Sequence, residues 1–285
     1  MKSFTLRESI NFDGIGLHTG VKTNITLNPA PLNSGIFFKR TDKSVIIPAT
    51  WDRVISTKFS TNIASNDIEV KTIEHLLSAL AGLHINNCEI LIDNIEVPIL
   101  DGSSNVFVES ILKKGIKEQD SEQKILEIVK PVKFSCDYGY AELAPNSPKD
   151  EGLNINLESS FEGKYEDQDI KIKNLNGNYI ESISKARTFG FFQEIEYLKS
   201  QNLIKGGSLD NAIVIKDKKP LNKDGLRYDN ELMRHKVLDV VGDLYLSGYP
   251  IIGTYKGFKT GHFITNNLLK ELFKSKENYK IHKIN

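Results

Sequence analysis

The stretch Arg234-His235-Lys236-Val237-Leu238-Asp239-Val240-Val241-Gly242-Asp243 sets one imidazole and two carboxylates at intervals of four residues. In a helix, that spacing puts His235 and Asp239 on one face, a turn apart, and Asp243 continues the stripe. A ring nitrogen and a carboxylate oxygen so placed can converge on one metal ion. A second segment, Thr72-Ile73-Glu74-His75-Leu76-Leu77, sets a histidine directly beside a glutamate. A hydrolytic metal centre needs that pair as ligand and general base. Two His and one Asp, with the fourth position left to water, is the stoichiometry of a catalytic zinc site rather than a structural one. The competing reading of His235 and Asp239 is a surface hydrogen bond across one helical turn. Val237, Leu238, Val240, Val241, Leu244 and Leu246 weigh against it. So apolar a helix leaves little exposed surface, and a histidine and two aspartates held near a core require partners.

Weaker signals surround these two. Thr260-Gly261-His262 follows Lys256-Gly257-Phe258-Lys259 and reads either as a flexible basic loop or as a histidine acid with Lys259 near an anionic substrate. Ala186-Arg187-Thr188-Phe189-Gly190-Phe191 reads as a compact aromatic–glycine turn, in which Thr188 can donate to an oxyanion or simply close a β-turn. Gly14-Ile15-Gly16-Leu17-His18-Thr19-Gly20 has Thr19 where a dinucleotide loop needs its third glycine, which excludes that reading. Taken singly, His18, His84 and His282 are ordinary core or surface residues, His282 within a charged, solvated tail. The sequence contains no phosphate-binding G-x-x-x-x-G-K-[ST] loop, no H-E-x-x-H and no G-x-S-x-G elbow, so a metal site must be assembled from separate segments.

The elements that must position these residues follow from periodicity. Thr72 to Leu83 and Asn230 to Leu246 carry apolar residues at helical spacing and end near glycines, and each feeds an apolar strand, Asn87–Ile92 and Tyr249–Tyr255. Further strands are expected within 20–50 and between Ile125 and Leu157. A histidine near the start of each of two matching helix–strand units points to an internal pseudo-repeat. The expected architecture is α+β: two similar two-layer α/β sandwich domains, residues 1–120 and 121–285, joined through a polar linker at Lys113–Lys124, with the site in the cleft between them. Lys plus Arg equals Asp plus Glu at 37 each, so no net charge argues for a nucleic-acid partner. Two cysteines make neither a disulfide framework nor a thiolate metal site. The N-terminus turns charged before an apolar signal core can form, and no apolar run reaches the ~20 residues of a membrane span. The expectation is a cytoplasmic, reducing setting with no stable membrane insertion.

Taken in order, the glycine-rich Gly14–Gly20 run, Thr72–Leu83, Ala186–Phe191, His235–Leu244 and Lys259–His262 resemble the zinc-dependent UDP-3-O-acyl-N-acetylglucosamine deacetylases of lipid A biosynthesis in Gram-negative bacteria. The resemblance runs from about Leu6 to Leu272. It implies zinc, or iron in its place, held by His75, His235 and Asp239, with Glu74 as general base. It also implies His262 as the protonated partner that supplies the leaving amine, Asp243 orienting it, and Thr188 sharing the oxyanion. Lys236 and Lys259 would meet the sugar–nucleotide, and Phe189 would also bind substrate. Leu17, Ile195, Ile204, Leu209 and Val214 would line a passage for the acyl chain. Two positions depart from the pattern: Ser60 replaces a cysteine found near the cleft in some members, and Lys58 stands where an apolar wall residue is expected. The implied ligand is an acylated UDP-N-acetylglucosamine and the implied state a monomer. Rival readings are a zinc amidohydrolase for another N-acyl substrate and a non-catalytic binder of acylated nucleotide sugars.

Overall fold

Alternation of apolar and polar residues along short segments builds two sheets, and in each the strand that follows a buried helix becomes the spine. The computed structural model describes residues 2–283. In the first half, helix α1 (Glu74–Gly82) leads into the strand Cys88–Ile92. That strand pairs antiparallel with Lys22–Pro29 and parallel with Ile36–Arg40, and Ile10–Ile15 and Val45–Pro48 close the outer edges. Helix α2 (Asn105–Lys114) packs on α1 in the first half. In the second half, after helices α3 (Leu175–Ser182) and α4 (Ile195–Ser200), helix α5 (Glu231–Tyr245) leads into the strand Ile251–Phe258. It pairs antiparallel with Gly139–Ala144 and parallel with Leu153–Ser159, flanked in turn by Val132–Cys136 and Gln168–Ile172. The same order and sense of five strands thus recurs in both halves. The fold is α+β, with the helices of the two halves meeting where α1 packs on α5.

α1 is buried on almost every side and α5 nearly so, which explains their apolar composition. They lie so close at Gly242 that any Cβ there would collide with the Glu74 carbonyl. One apolar core runs without interruption through both halves, from Leu27, Phe38 and Ile90 through Leu76 and Leu80 to Leu238, Tyr255 and Leu268. The strand after α5 leads into helix α6 (His262–Phe273), which packs on α5 and on the hairpin Val132–Ala144.

Several expectations are corrected. The polar stretch Lys113–Lys124, expected as the linker between domains, carries regular structure: it ends α2 and then forms the strand Ile116–Glu122, which pairs with Lys2–Leu6. Pairing passes to the second half around the buried Gln123, since Lys124–Ile128 joins Ile251 and Ile252. The charged tail holds another strand, Tyr279–Lys283, against Lys124–Ile128, and His282 there bonds Glu127 at 2.8 Å. Edge strands with one wet face carry polar alternation that composition alone reads as loop. Lys256-Gly257-Phe258 is strand, not loop, and His262 opens α6. Two three-stranded patches flank the seam: Val54–Ser56 with Asn62–Ser65 and Ile68–Val70, and Phe189–Phe191 with Ile213–Lys216 and Lys219–Pro220. No helix among the described residues is long and apolar enough to cross a membrane.

Candidate active site

Because α1 and α5 lie against each other, residues near the start of one meet residues in the middle of the other. His75 and His235, both buried, stand edge to face with ring centroids 4.9 Å apart. The Asp239 Oδ1 atom lies 3.6 Å from His75 Nε2 and 3.5 Å from His235 Nε2. These separations are too long for hydrogen bonds. They match the edge of a tetrahedron of ligands set ~2.1 Å from a shared centre, which is about 3.4 Å. Asp239 Oδ1 is buried without a hydrogen-bond partner among the described residues, as expected of an atom awaiting a cation. His235 Nδ1 faces the Ala186 carbonyl at 3.1 Å, which can only accept, so the proton sits on Nδ1 and Nε2 keeps its lone pair. Burial, with His235, His262 and His18 nearby, pushes the His75 imidazolium well below its ordinary range, leaving the neutral form a ligand requires. The donor set therefore fits a tetrahedral divalent ion with one position open.

Beside these atoms stands an acid–base pair. Glu74 Oε1 faces His262 Nε2 at 3.8 Å. His262 Nδ1 bonds Asp243 Oδ2 at 2.8 Å, and the other Asp243 oxygen accepts the Thr61 hydroxyl at 2.6 Å. The Thr61 backbone N–H donates to Glu74 Oε2 at 3.0 Å. Burial drives the Glu74 carboxyl up to about 8, partly opposed by His262 and reinforced by Asp239 and Asp243. For His262, burial alone would favour the neutral ring, but Asp243 and Glu74 outweigh it and push it up to about 10. A strengthened base thus stands 3.8 Å from a persistent acid, so that both can reach one reacting group beside them.

Two cavities are lined by neighbours of these residues. One, of about 360 Å³, is lined by Leu17, Ile195, Ile204, Leu209 and Val214 with Phe59, Thr188 and Phe189. Phe59, rather than its neighbour Lys58, forms the wall, while Lys58 Nζ reaches Gln201 at 3.3 Å. The other, of about 200 Å³, is lined by Lys236, Lys259, Lys164, Phe161, Phe189 and Ser160 among others. Phe189 belongs to both and packs against the His235 ring at 6.1 Å between centroids. The cationic groups are tied down: Lys259 Nζ pairs with Glu162 at 2.9 Å, and Lys236 Nζ donates to the Thr260 carbonyl at 3.1 Å. Ala186–Phe191 is not a turn; it ends in the strand Phe189–Phe191, parallel to Ile213–Lys216.

Sequence reasoning missed three residues that shape this site. Thr61 bridges the base Glu74 and Asp243, the carboxylate that holds His262, but sits in no periodic pattern. The wholly buried Glu96 accepts the His18 N–H at 2.9 Å, the Thr19 N–H at 2.7 Å and the Thr72 hydroxyl at 2.8 Å, anchoring the loop that carries Leu17. Ser104 donates to the His75 carbonyl at 2.9 Å. Only the absence of any nearby opposite charge around Glu96 in the sequence hints at such a role, and it is a faint hint.

Comparison with known proteins agrees with this layout. The profile of the family described as UDP-3-O-acyl N-acetylglycosamine deacetylase matches residues 3–274. A protein of that name (UDP-3-O-acyl-N-acetylglucosamine deacetylase) from Teredinibacter turnerae is 43% identical over 284 residues, covering 99% of this chain and 93% of its own. Those of Hahella chejuensis and Histophilus somni are each 42% identical, covering 99% and 97% of this chain and 93% and 92% of theirs. With reactive residues gathered at one seam and a match spanning nearly the whole length, the chain belongs to the UDP-3-O-acyl N-acetylglycosamine deacetylase family.

Proposed function

We propose that this protein is a zinc-dependent hydrolase that removes the N-acetyl group from UDP-3-O-(3-hydroxyacyl)-N-acetylglucosamine and releases acetate, a step of lipid A biosynthesis. The observation that carries the reading is the shared wall of the two cavities: the apolar cavity and the lysine-lined cavity have Phe189 in common, and its ring packs against His235 of the three candidate ligands. One cavity suits an acyl chain, at about 0.8 kcal/mol per buried methylene, and the other a diphosphate.

His75, His235 and Asp239 would hold the ion. When bound, it supplies Lewis acidity toward a water and the acetamide carbonyl. Glu74 takes the proton of the attacking water through Oε1, because the Thr61 N–H occupies Oε2. Thr188 lines the apolar cavity beside Phe189, and its hydroxyl would donate to the developing oxyanion. His262, its Nδ1 held by Asp243, keeps the Nε2 proton for the departing amine, which leaves as the C–N bond breaks. Lys236 and Lys259 balance phosphate charge, and Phe189 separates the polar from the apolar chamber.

The test is acetate release from UDP-3-O-(3-hydroxyacyl)-N-acetylglucosamine by the purified protein, before and after chelation and zinc re-addition. Activity lost with chelator and restored by zinc supports reaction, substrate class and cofactor together. A folded, metal-loaded protein that releases no acetate overturns the substrate and moves the reading to another N-acyl compound.

A further inference from the structure

Arg187 stands between the two residues whose backbones flank the proposed chemistry. Ala186 gives its carbonyl to His235 Nδ1, and Thr188 carries the candidate oxyanion hydroxyl. Arg187 is itself buried, and its partner is Glu231, wholly buried in the first turn of α5 and one turn ahead of His235. The Glu231 carboxylate is saturated. Oε1 accepts the Arg187 backbone N–H at 3.0 Å and Nε at 2.8 Å; Oε2 accepts Arg187 Nη2 at 3.1 Å and the Arg227 backbone N–H at 2.6 Å. Nη2 also reaches the Gly225 carbonyl at 2.8 Å. Two of the four bonds go to backbone, so the pair fixes the course of the chain as well as a side chain.

The downstream side is fixed too. The Thr188 N–H donates to the Gly102 carbonyl at 2.8 Å, and the Thr188 carbonyl accepts the Ile213 N–H at 2.8 Å. Gly102 sits at φ +83°, where a Cβ would strike the Asn211 carbonyl, so this contact admits no side chain. Residues 186–188 are thereby pinned to α5 on one side and to the 101–104 turn on the other. Neither Glu231 nor Arg187 lines either cavity, so neither is placed to touch substrate.

We infer that Glu231, through its fork to Arg187, is a positioning residue that holds the Ala186 carbonyl on His235 and the Thr188 hydroxyl at the reacting centre in one register. The inference rests on the proposed deacetylase reading for its kinetic arm. Its metal arm does not. A buried charge pair that only stabilised the fold would be replaceable at constant activity. One that sets tautomer and orientation would alter metal affinity and the rate of the chemical step, as partners behind metal-bound histidines do.

The experiment uses the full chain with Glu231→Gln, which keeps the shape and removes the charge. It measures zinc affinity by chelator competition, kcat and KM separately, and melting temperature, alone and combined with Thr188→Ala. The expected result is zinc affinity weakened about tenfold and kcat lowered at least tenfold with KM within about threefold. In the Thr188→Ala background the same change should cost less in kcat than in the parent, since one of the two groups it positions is gone and only the His235 contribution remains. A folded Glu231→Gln protein with zinc affinity and kcat both within about twofold of the parent overturns the inference. So does a full kcat loss that persists undiminished in the Thr188→Ala background. Should Glu231→Gln fail to fold, Arg187→Lys, which keeps the charge and loses the fork, carries the same measurements and the same two overturning results. A wild-type chain that binds zinc yet releases no acetate would refute the substrate reading, and the zinc-affinity comparison would still decide the positioning role.

Discussion

At the residue scale, the site depends on two proton affinities pushed in the same direction for different reasons. Glu74 is raised by burial and the neighbouring carboxylates, His262 by Asp243 and Glu74 against the pull of burial. The proposed mechanism needs Glu74 ionised and His262 protonated. Activity is therefore expected to rise with pH as Glu74 loses its proton and to fall as His262 loses its own near 10. A bound dication pulls the lower limb below the value of about 8 set by the protein alone. His262→Gln should erase the alkaline limb of the kcat/KM profile, and Glu74→Gln should lower kcat by about 10²–10⁴-fold with metal content unchanged. A full alkaline limb retained in His262→Gln would assign it elsewhere. That His75, His235 and Asp239 come together with Glu74 beside them was legible because four-residue spacing and a His–Glu neighbour pair constrain chemistry whatever the surroundings, whereas His262 gave only a weak signal of its own. Thr61 and Glu96 were not, since their roles depend on partners 182 and 78 residues away along the chain.

At the element scale, catalytic precision depends on how closely two helices can lie. α1 and α5 were legible as apolar periodic runs ending near glycine, within a residue or two of their bounds. The reason for Gly242 was not, because a glycine inside a helix normally reads as a simple weakness. Its absent side chain lets the Glu74 backbone sit directly on α5. Gly242→Ala should gain up to about 1 kcal/mol of helix propensity and lose more through overpacking, typically about 1–3 kcal/mol. The expected outcome is a lower melting temperature together with weakened zinc affinity, because pushing α1 aside separates His75 from His235 and Asp239. A variant with raised melting temperature and parental affinity would show that the seam tolerates the displacement. The edge strands Ile116–Glu122 and Tyr279–Lys283 went unread for a related reason: each keeps one wet face, and its pairing partner lies far off in sequence.

At the scale of the whole molecule, helix–strand recurrence was visible in the sequence, while the order of strands was not. The match between the halves lies in pairings such as Ile36–Arg40 running parallel to Cys88–Ile92 and Leu153–Ser159 parallel to Ile251–Phe258. Hydrophobic pattern fixes which face of a strand is buried, and says little about which distant strand it joins. One arrangement already described has a mechanical consequence. An ion gripped by His75 on one helix and by His235 and Asp239 on the other would tie together points about 160 residues apart, closing a long loop with a coordinate bond. Prising the two halves apart would then require breaking that bond first. Amide hydrogen exchange along α1 and α5 should quicken when the protein is stripped with chelator, while the outer strands Ile10–Ile15 and Gln168–Ile172 keep their rates. Uniform quickening everywhere would mean the ion steadies the molecule as a whole, and unchanged rates would mean the seam holds without it. Localised quickening would mark the catalytic centre as the latch of the molecule, with its two halves free to breathe only when the metal has left.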